Sequence, residues 1–143
     1  MSKNGNILIV EDDIDDKELL EDLILDLGIA NNIIWKPNGA EAFTYLCTTT
    51  VPMFIIFSDI NMPIMNGLEL KRKIDADPEL RRKSIPFIFY STAASRDAVD
   101  EAYTELTIQG FFTKGNDCTK MKSVVNNIIE YWKDCVHPNT YNL

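Results

Sequence analysis

Histidine is nearly absent from this chain of 143 residues: His137 is the single one, beside Pro138 in a polar tail. A histidine placed there is a poor metal ligand or base, and a Ser-His-Asp or Cys-His mechanism in the core has no histidine to use. Cysteine is scarce as well. Cys47, Cys118 and Cys135 are odd in number and show no C-x-x-C spacing. They read as reduced thiols of a cytoplasmic protein, not as a disulfide frame or a zinc site. Basic residues are outnumbered, with 14 Lys and Arg against 22 Asp and Glu. The net charge of −8 speaks against a nucleic-acid backbone or an anionic membrane as a direct partner. Long apolar runs are missing too. After the polar start Met1–Asn6, the run Ile7–Val10 is too short for a signal peptide or a membrane span. No linker, repeat or low-complexity segment divides the chain, so 1–143 reads as one domain with one core.

What is present is an alternation of strands and helices. Ile7–Val10 is a short apolar strand ending in Glu11-Asp12-Asp13. Leu19, Leu20, Leu23, Ile24 and Leu27 follow at helical spacing, and Gly28 stops that helix. Ile33–Trp35, ended by Pro37, suits an edge strand. Asn38-Gly39 turns into a short helix carrying Ala40, Phe43, Leu46 and Cys47. Phe54–Phe57 is apolar without alternation, as in a strand buried on both faces. A helix from Gly67 to about Ala76 should keep Lys71, Arg72 and Lys73 on its wet side. Asp77 to Ser84 reads as a charged, solvated loop. Phe87–Tyr90 is a fourth buried strand. Ala98, Val99, Ala102, Tyr103 and Leu106 mark a fourth helix, and Gly110–Thr113 a fifth strand. Met121, Val124, Val125, Ile128, Ile129 and Trp132 form the cleanest helical stripe, read as core packing. From Cys135 onward the tail is expected to be disordered. Five strands alternating with five helices imply an α/β fold, with right-handed crossovers and a parallel sheet covered on both faces.

The stretch Phe54–Gly67 organises the rest. Its strand opens at Ser58 and Asp59 into a loop with Pro63 and the turn signal Asn66-Gly67. In a parallel sheet all strand C-termini share one edge, which is where ligands bind. Strand one brings Glu11 and Asp12 there, strand three Asp59, strand four Ser91 and strand five Lys114. Each has a bland explanation as a cap, a turn residue or a solvated charge, but four strand ends converge. Crowded carboxylates resist ionising, and a hard cation such as Mg²⁺ relieves that. A carboxylate can also accept a phosphoryl group. Transfer to Asp59 would need alignment and charge neutralisation, supplied by Mg²⁺, the Lys114 ammonium and the Ser91 hydroxyl.

This set resembles the receiver domains of two-component response regulators, over about residues 6 to 133, with 134–143 as a C-terminal tail. The acidic pair after strand one is matched by Glu11-Asp12. The acceptor pattern D-x-x-M-P-x-x-x-G is matched by Asp59, Met62, Pro63 and Gly67. Ser91 matches the switch hydroxyl after strand four and Lys114 the lysine after strand five, with Phe111 as the aromatic three residues before it. The resemblance implies a flavodoxin-like, doubly wound (βα)5 sandwich with strand order 2-1-3-4-5. It implies that Asp59 is phosphorylated by a sensor histidine kinase or a phosphotransfer protein. It also implies Mg²⁺ held by Asp12, Asp59 and the Asn61 backbone carbonyl, with Glu11 acting through a water. Asp13 is an extra loop acid, or else the acidic pair is shifted by one. Ser91 and Phe111 would form the switch. A downstream protein, or a second copy of the chain, would dock on the face of helix four, strand five and helix five.

Two departures stand out. Lys114 is followed by Gly115 where the family has proline with a cis bond, so a looser loop is expected. Thr92 follows the switch hydroxyl where a small residue is usual, which would narrow access to the phosphoryl group. The Asp77–Ser84 loop and Tyr131-Trp132 are similar to stand-alone receivers paired with phytochrome-like kinases. No output domain follows, so a domain of this kind is expected to act through protein contacts and not as an enzyme with turnover. Two other functions compete. A haloacid-dehalogenase-type phosphatase would need an acid two residues after Asp59, where Asn61 stands. A degenerate receiver would serve only as a docking module.

Overall fold

The computed structural model describes residues 2–92 and 96–136. Of the tail expected to be disordered from Cys135, Cys135 is instead ordered, its N–H donating to the Tyr131 carbonyl at 3.1 Å, and residues 137–143, His137 among them, lie outside the described residues. The chain alternates as expected: β1 (Asn6–Val10), α1 (Ile14–Asp26), β2 (Ile33–Lys36), α2 (Gly39–Thr48), β3 (Met53–Ser58), α3 (Gly67–Ala76), α4 (Pro78–Lys83), β4 (Phe87–Ser91), α5 (Arg96–Thr104), β5 (Gly110–Thr113) and α6 (Cys118–Asp134). All strand pairs are parallel, in the order β2-β1-β3-β4-β5. Both β2 and β5 are therefore edges, and β1, β3 and β4 are wholly buried.

The period-two rule for strands decides which helix each side chain meets. Leu8 and Val10 of β1 join one core with Ala42, Leu46, Leu70, Ile74, Leu80 and Ala102, the inner faces of α2 to α5. Ile7 and Ile9 join the other with Leu20, Leu23, Ile24, Met121, Val125 and Ile129 of α1 and α6. Each fully buried Leu or Ile contributes about 1.5–3 kcal/mol of transfer free energy. Helix starts follow local chemistry. Asp13, Asn38, Asn66 and Asp117 each cap a helix through a side-chain oxygen that accepts a backbone N–H. Gly28, at φ +72°, ends α1 as the sequence implies.

Three further expectations need correction. Asp77–Ser84 is not a plain loop. Asp77 accepts the N–H groups of Glu79 and Leu80, Pro78 fills the first turn, and Leu80 is buried, so a six-residue helix forms. The described residues thus hold six helices. Lys71 is not on the wet side of α3. It is 4 % exposed, its Nζ pairs with Asp75 at 2.9 Å, and it lies 5.3 Å from the Phe87 ring centre. Burial pulls its ammonium below the usual lysine value. Arg72 and Lys73 are exposed as expected. In α5 the helix ends at Thr104, so Leu106 is buried beyond it, and Tyr103 points outward.

Candidate functional site

The five strand-end residues expected to converge do lie on one sheet edge, and three are joined directly. Asp59 follows β3, with its N–H donating to the Val10 carbonyl of β1 at 2.9 Å. Its Oδ1 accepts the Ile60 N–H at 2.7 Å, and its Oδ2 accepts from Lys114 Nζ at 3.2 Å. Lys114 comes from the end of β5, where its own N–H donates to the Ser91 carbonyl at 2.9 Å. Its ammonium also reaches Glu11 Oε2 at 2.5 Å. Asp59, Glu11, Ser91 and Lys114 are all buried, whereas Asp12 is exposed.

Beside the acceptor the backbone requires a glycine. Gly67 opens α3 and donates its N–H to the Ile60 carbonyl at 2.8 Å. A Cβ built on Gly67 would stand 2.1 Å from the Asp59 carbonyl oxygen. The eighth residue after Asp59 therefore has no side chain because the helix start packs directly on the acceptor's own backbone.

Electrostatics mark the site as overloaded with negative charge. Burial pushes the Glu11 carboxyl up to about 7, with the nearby Asp59 adding to it, against the opposing pull of Lys114. Burial disfavours the Lys114 ammonium, but its hydrogen bonds to Glu11 and Asp16 and the charges of Glu11 and Asp59 prevail, holding it above the usual lysine value. Asp16 was not anticipated. Its Oδ2 accepts from Lys114 at 3.0 Å, and its only signal in sequence was an acid in the first turn of the helix after Glu11-Asp12. One ammonium thus faces three carboxylates.

Among the described residues, Glu11, Asp12 and Asp59 form a group whose carboxylate oxygens lie within 4.8 Å of one another. The donors are all hard oxygens, without thiol or imidazole, and one of them, Glu11, resists ionising because it is buried and lies near Asp59. That chemistry fits a divalent cation of the Mg²⁺ type. Asn61 is exposed two residues beyond Asp59, on the same loop. Thr92 is exposed beside Ser91. Gly115 is exposed, and a Cβ there would meet only the Asp117 nitrogen, at 3.9 Å. Phe111 is half-buried, its ring centre 5.6 Å from that of Phe89, in the core shared with α5.

Residues 7–126 match the family model of the response regulator receiver domain. The chain is similar to chemotaxis protein CheY-3 of Vibrio cholerae, 30% identical over 130 residues, covering 91% of this chain and 95% of that protein. It is similar to the crystal structure of the phosphorylated cyanobacterial phytochrome response regulator RcpA, with a TM-score of 0.80 and 25% identity over 94% of this chain and 97% of that one. The Mn²⁺-bound form of response regulator Rcp1 gives a TM-score of 0.77 and 26% identity, over 93% and 97%.

Proposed function

The chain belongs to the response regulator receiver domain family, and on that footing we propose that Asp59 takes a phosphoryl group from a sensor histidine kinase or a phosphotransfer protein. Its Glu11, Asp12 and Asp59 cluster matches the acidic Mg²⁺ site of receiver domains. Receivers work as phosphotransfer and autodephosphorylation switches, not as enzymes with turnover. The observation that carries the assignment is the reach of Lys114, from a different strand, to Asp59 Oδ2 at 3.2 Å and Glu11 Oε2 at 2.5 Å.

A carboxylate oxygen of Asp59 attacks phosphorus, and the P–N bond of the donor phosphohistidine breaks. The electron pair leaves with the imidazole, which takes up a proton. The Ile60 N–H on Asp59 Oδ1 fixes the rotation of the carboxylate, leaving Oδ2 toward Lys114. The Lys114 ammonium neutralises charge on the transferred oxygens, which form in a buried site where a fixed charge acts strongly. Ser91 donates its hydroxyl to a phosphoryl oxygen once the acceptor is loaded. Mg²⁺ when bound supplies further charge neutralisation and alignment. Asp12 and Asp59 would hold it with the Asn61 carbonyl, and Glu11 through a water. Glu11 has a second duty: with Asp16 it keeps the ammonium oriented over the acceptor.

The loaded state is read through Ser91 and Phe111. Movement of Ser91 toward the phosphoryl group frees space for Phe111 to turn further in. The face of α5, β5 and α6 then changes. A groove of about 440 Å³ on that face is lined by Tyr103, Phe111, Ile128 and Trp132. A downstream protein, or a second copy of the chain, docks there, in the cytoplasm. Acetyl phosphate with Mg²⁺ tests the function. A receiver forms an adduct that persists and then decays slowly. Rapid turnover of phosphate esters would make the chain a phosphatase, and no adduct would leave it a docking module.

A further inference from the structure

The short helix α4 joins the end of α3 to the start of β4. It therefore lies at the N-terminal edge of the parallel strands, opposite the edge that carries Asp59. There it walls a cavity of about 220 Å³, together with α3 and the segment between α5 and β5. The floor is Lys71, Ile74, Leu80 and Ile85, all buried. The mouth is Arg81, Ser84, Thr107 and Gln109, all exposed. Ser84 shapes the wall. Its φ of +49° reverses the chain at the end of α4, and its Oγ holds that turn by donating to the Arg81 and Arg82 carbonyls at 3.3 Å.

Lys71 is the unusual member. A buried ammonium has three N–H groups to satisfy. Among the described residues its one hydrogen-bonding partner is Asp75, at 2.9 Å, and the Phe87 ring lies 5.3 Å from its Nζ. Asp75 is itself shared. It accepts the Thr107 hydroxyl at 2.7 Å and the Thr107 N–H at 3.2 Å. The Asp75 backbone carbonyl accepts Arg81 Nη1 at 3.5 Å, which leaves most donors of that guanidinium open. Two cations thus line the cavity beside one occupied carboxylate, and one positive charge is uncompensated. Burial, with the Arg81 charge adding to it, pulls the Lys71 ammonium below its usual value against the opposing pull of Asp75. A second anion beside Lys71 would relieve that.

We propose that this cavity binds a short-chain organic monocarboxylate, whose carboxylate takes the open N–H groups of Lys71 and Arg81 while its alkyl chain lies on Ile74, Leu80 and Ile85. One negative charge matches the one uncompensated positive charge. Two carboxylate oxygens match donors offered by two side chains. An inorganic anion would leave the apolar floor uncovered, and a neutral alcohol would leave the cations without a counter-charge. The size is restrictive as well. A water takes about 30 Å³ in the liquid, so the cavity has room for about seven, enough for a short acid and too little for a drug-sized one. The site stands independently of whether Asp59 is the acceptor. Its occupancy should be felt in the backbone, because Thr107 bonds Asp75 and Gln109 Oε1 accepts the Phe87 N–H at 2.6 Å.

The test is an NMR titration of the full chain with sodium butanoate at constant ionic strength. A ligand this small should bind with a Kd of about 1 mM. Saturable shifts are expected for the amides of Asp75, Ser84, Thr107 and Gln109, and none for those of Asp12 and Lys114. Butan-1-ol, which lacks the charge, and inorganic phosphate, which lacks the chain, should each bind at least about ten-fold more weakly. Lys71→Met keeps an unbranched apolar stem and removes the cation, and should weaken butanoate about ten-fold or more. Arg81→Ala changes an exposed side chain, spares the fold, and should weaken it about five-fold. If Lys71→Met does not fold, Arg81→Ala decides. Absence of a saturable shift up to about 50 mM butanoate would overturn the site. So would shifts confined to residues away from the cavity, or unchanged affinity in Arg81→Ala. Equal affinity for butan-1-ol would make the cavity a plain apolar hole, and equal affinity for phosphate a plain anion site. Either would overturn the assignment to a carboxylate.

Discussion

Gly67→Ala should damage both the fold and the acceptor, although it adds one methyl group to a helix. The new Cβ would lie 2.1 Å from the Asp59 carbonyl oxygen and 2.9 Å from Phe89 Cε1. A carbon and a carbonyl oxygen normally approach no closer than about 3.3 Å, so the start of α3 must retreat by about 1 Å. That movement stretches the 2.8 Å bond from Gly67 N–H to the Ile60 carbonyl beyond useful length. Overpacking costs about 1–3 kcal/mol and the lost bond about 1 kcal/mol. Alanine's smaller unfolded-state entropy returns about 0.4–1 kcal/mol. A net loss of about 2–3 kcal/mol corresponds to a fall in melting temperature of roughly 5–10 °C for a domain of this size. The Asp59 backbone moves with the clash, so labelling by acetyl phosphate should slow about 10- to 100-fold. Gly115→Ala is the control, because its Cβ would meet nothing nearer than 3.9 Å. It should be neutral or slightly stabilising. A Gly67→Ala protein as stable and as readily labelled as the parent would refute the close-packing argument.

Three further outcomes are expected. Asp75→Ala leaves the Lys71 ammonium buried without its partner, at a cost of about 3 kcal/mol in urea unfolding at neutral pH. Burial raises the Asp75 carboxyl, but the bonds from Lys71 and Thr107 hold it below its usual value. A depressed folded value stabilises above the unfolded one, near pH 4, and is lost as pH falls through the folded one. The gap between parent and Asp75→Ala should therefore narrow in acid, and a constant gap would contradict the linkage. Asp12→Ala should weaken Mg²⁺ binding more than Glu11→Ala does. Fluorescence of Trp35, whose Nε1 donates to the Glu11 carbonyl at 2.8 Å, gives the readout, and equal weakening would argue against Glu11 acting at one remove. Beryllofluoride with Mg²⁺ should shift NMR signals of Ala98–Leu106 and Phe111–Lys122. Shifts confined to the loops around Asp12, Asp59 and Ser91 would break the link from acceptor to the α5–β5–α6 face.

Most of the fold was legible because buried parallel strands leave a strong mark: runs such as Ile7–Val10 and Phe54–Phe57 lack alternation and stop at polar residues. The site was legible for the same reason, since parallel topology alone brings Glu11, Asp59, Ser91 and Lys114 to one edge. What failed depended on partners distant in sequence or on short segments. Lys71 looked solvated in a Lys-Arg-Lys run, and only the Asp75 carboxylate and the Phe87 ring make its burial tolerable. Asp16 looked like an ordinary acid in the first turn of a helix, and its bond to Lys114 spans 98 positions. The Pro78–Lys83 helix is too short to show an apolar period, yet Asp77-Pro78 with Leu80 behind it was a readable start signal. Tyr103 kept the spacing of a core residue but falls on the outer face of a helix that ends at Thr104.

Asp59→Asn bears most directly on the central claim, because the amide keeps the side chain's shape and removes the nucleophile. The parent and the variant are treated with acetyl phosphate and Mg²⁺, and the adducts are located by peptide mass spectrometry. One phosphoryl group on the peptide holding Asp59 in the parent, and none on the variant, is the predicted result. An equal adduct on the variant, or an adduct in the parent on Asp12, Asp13 or Asp16 instead, would contradict it.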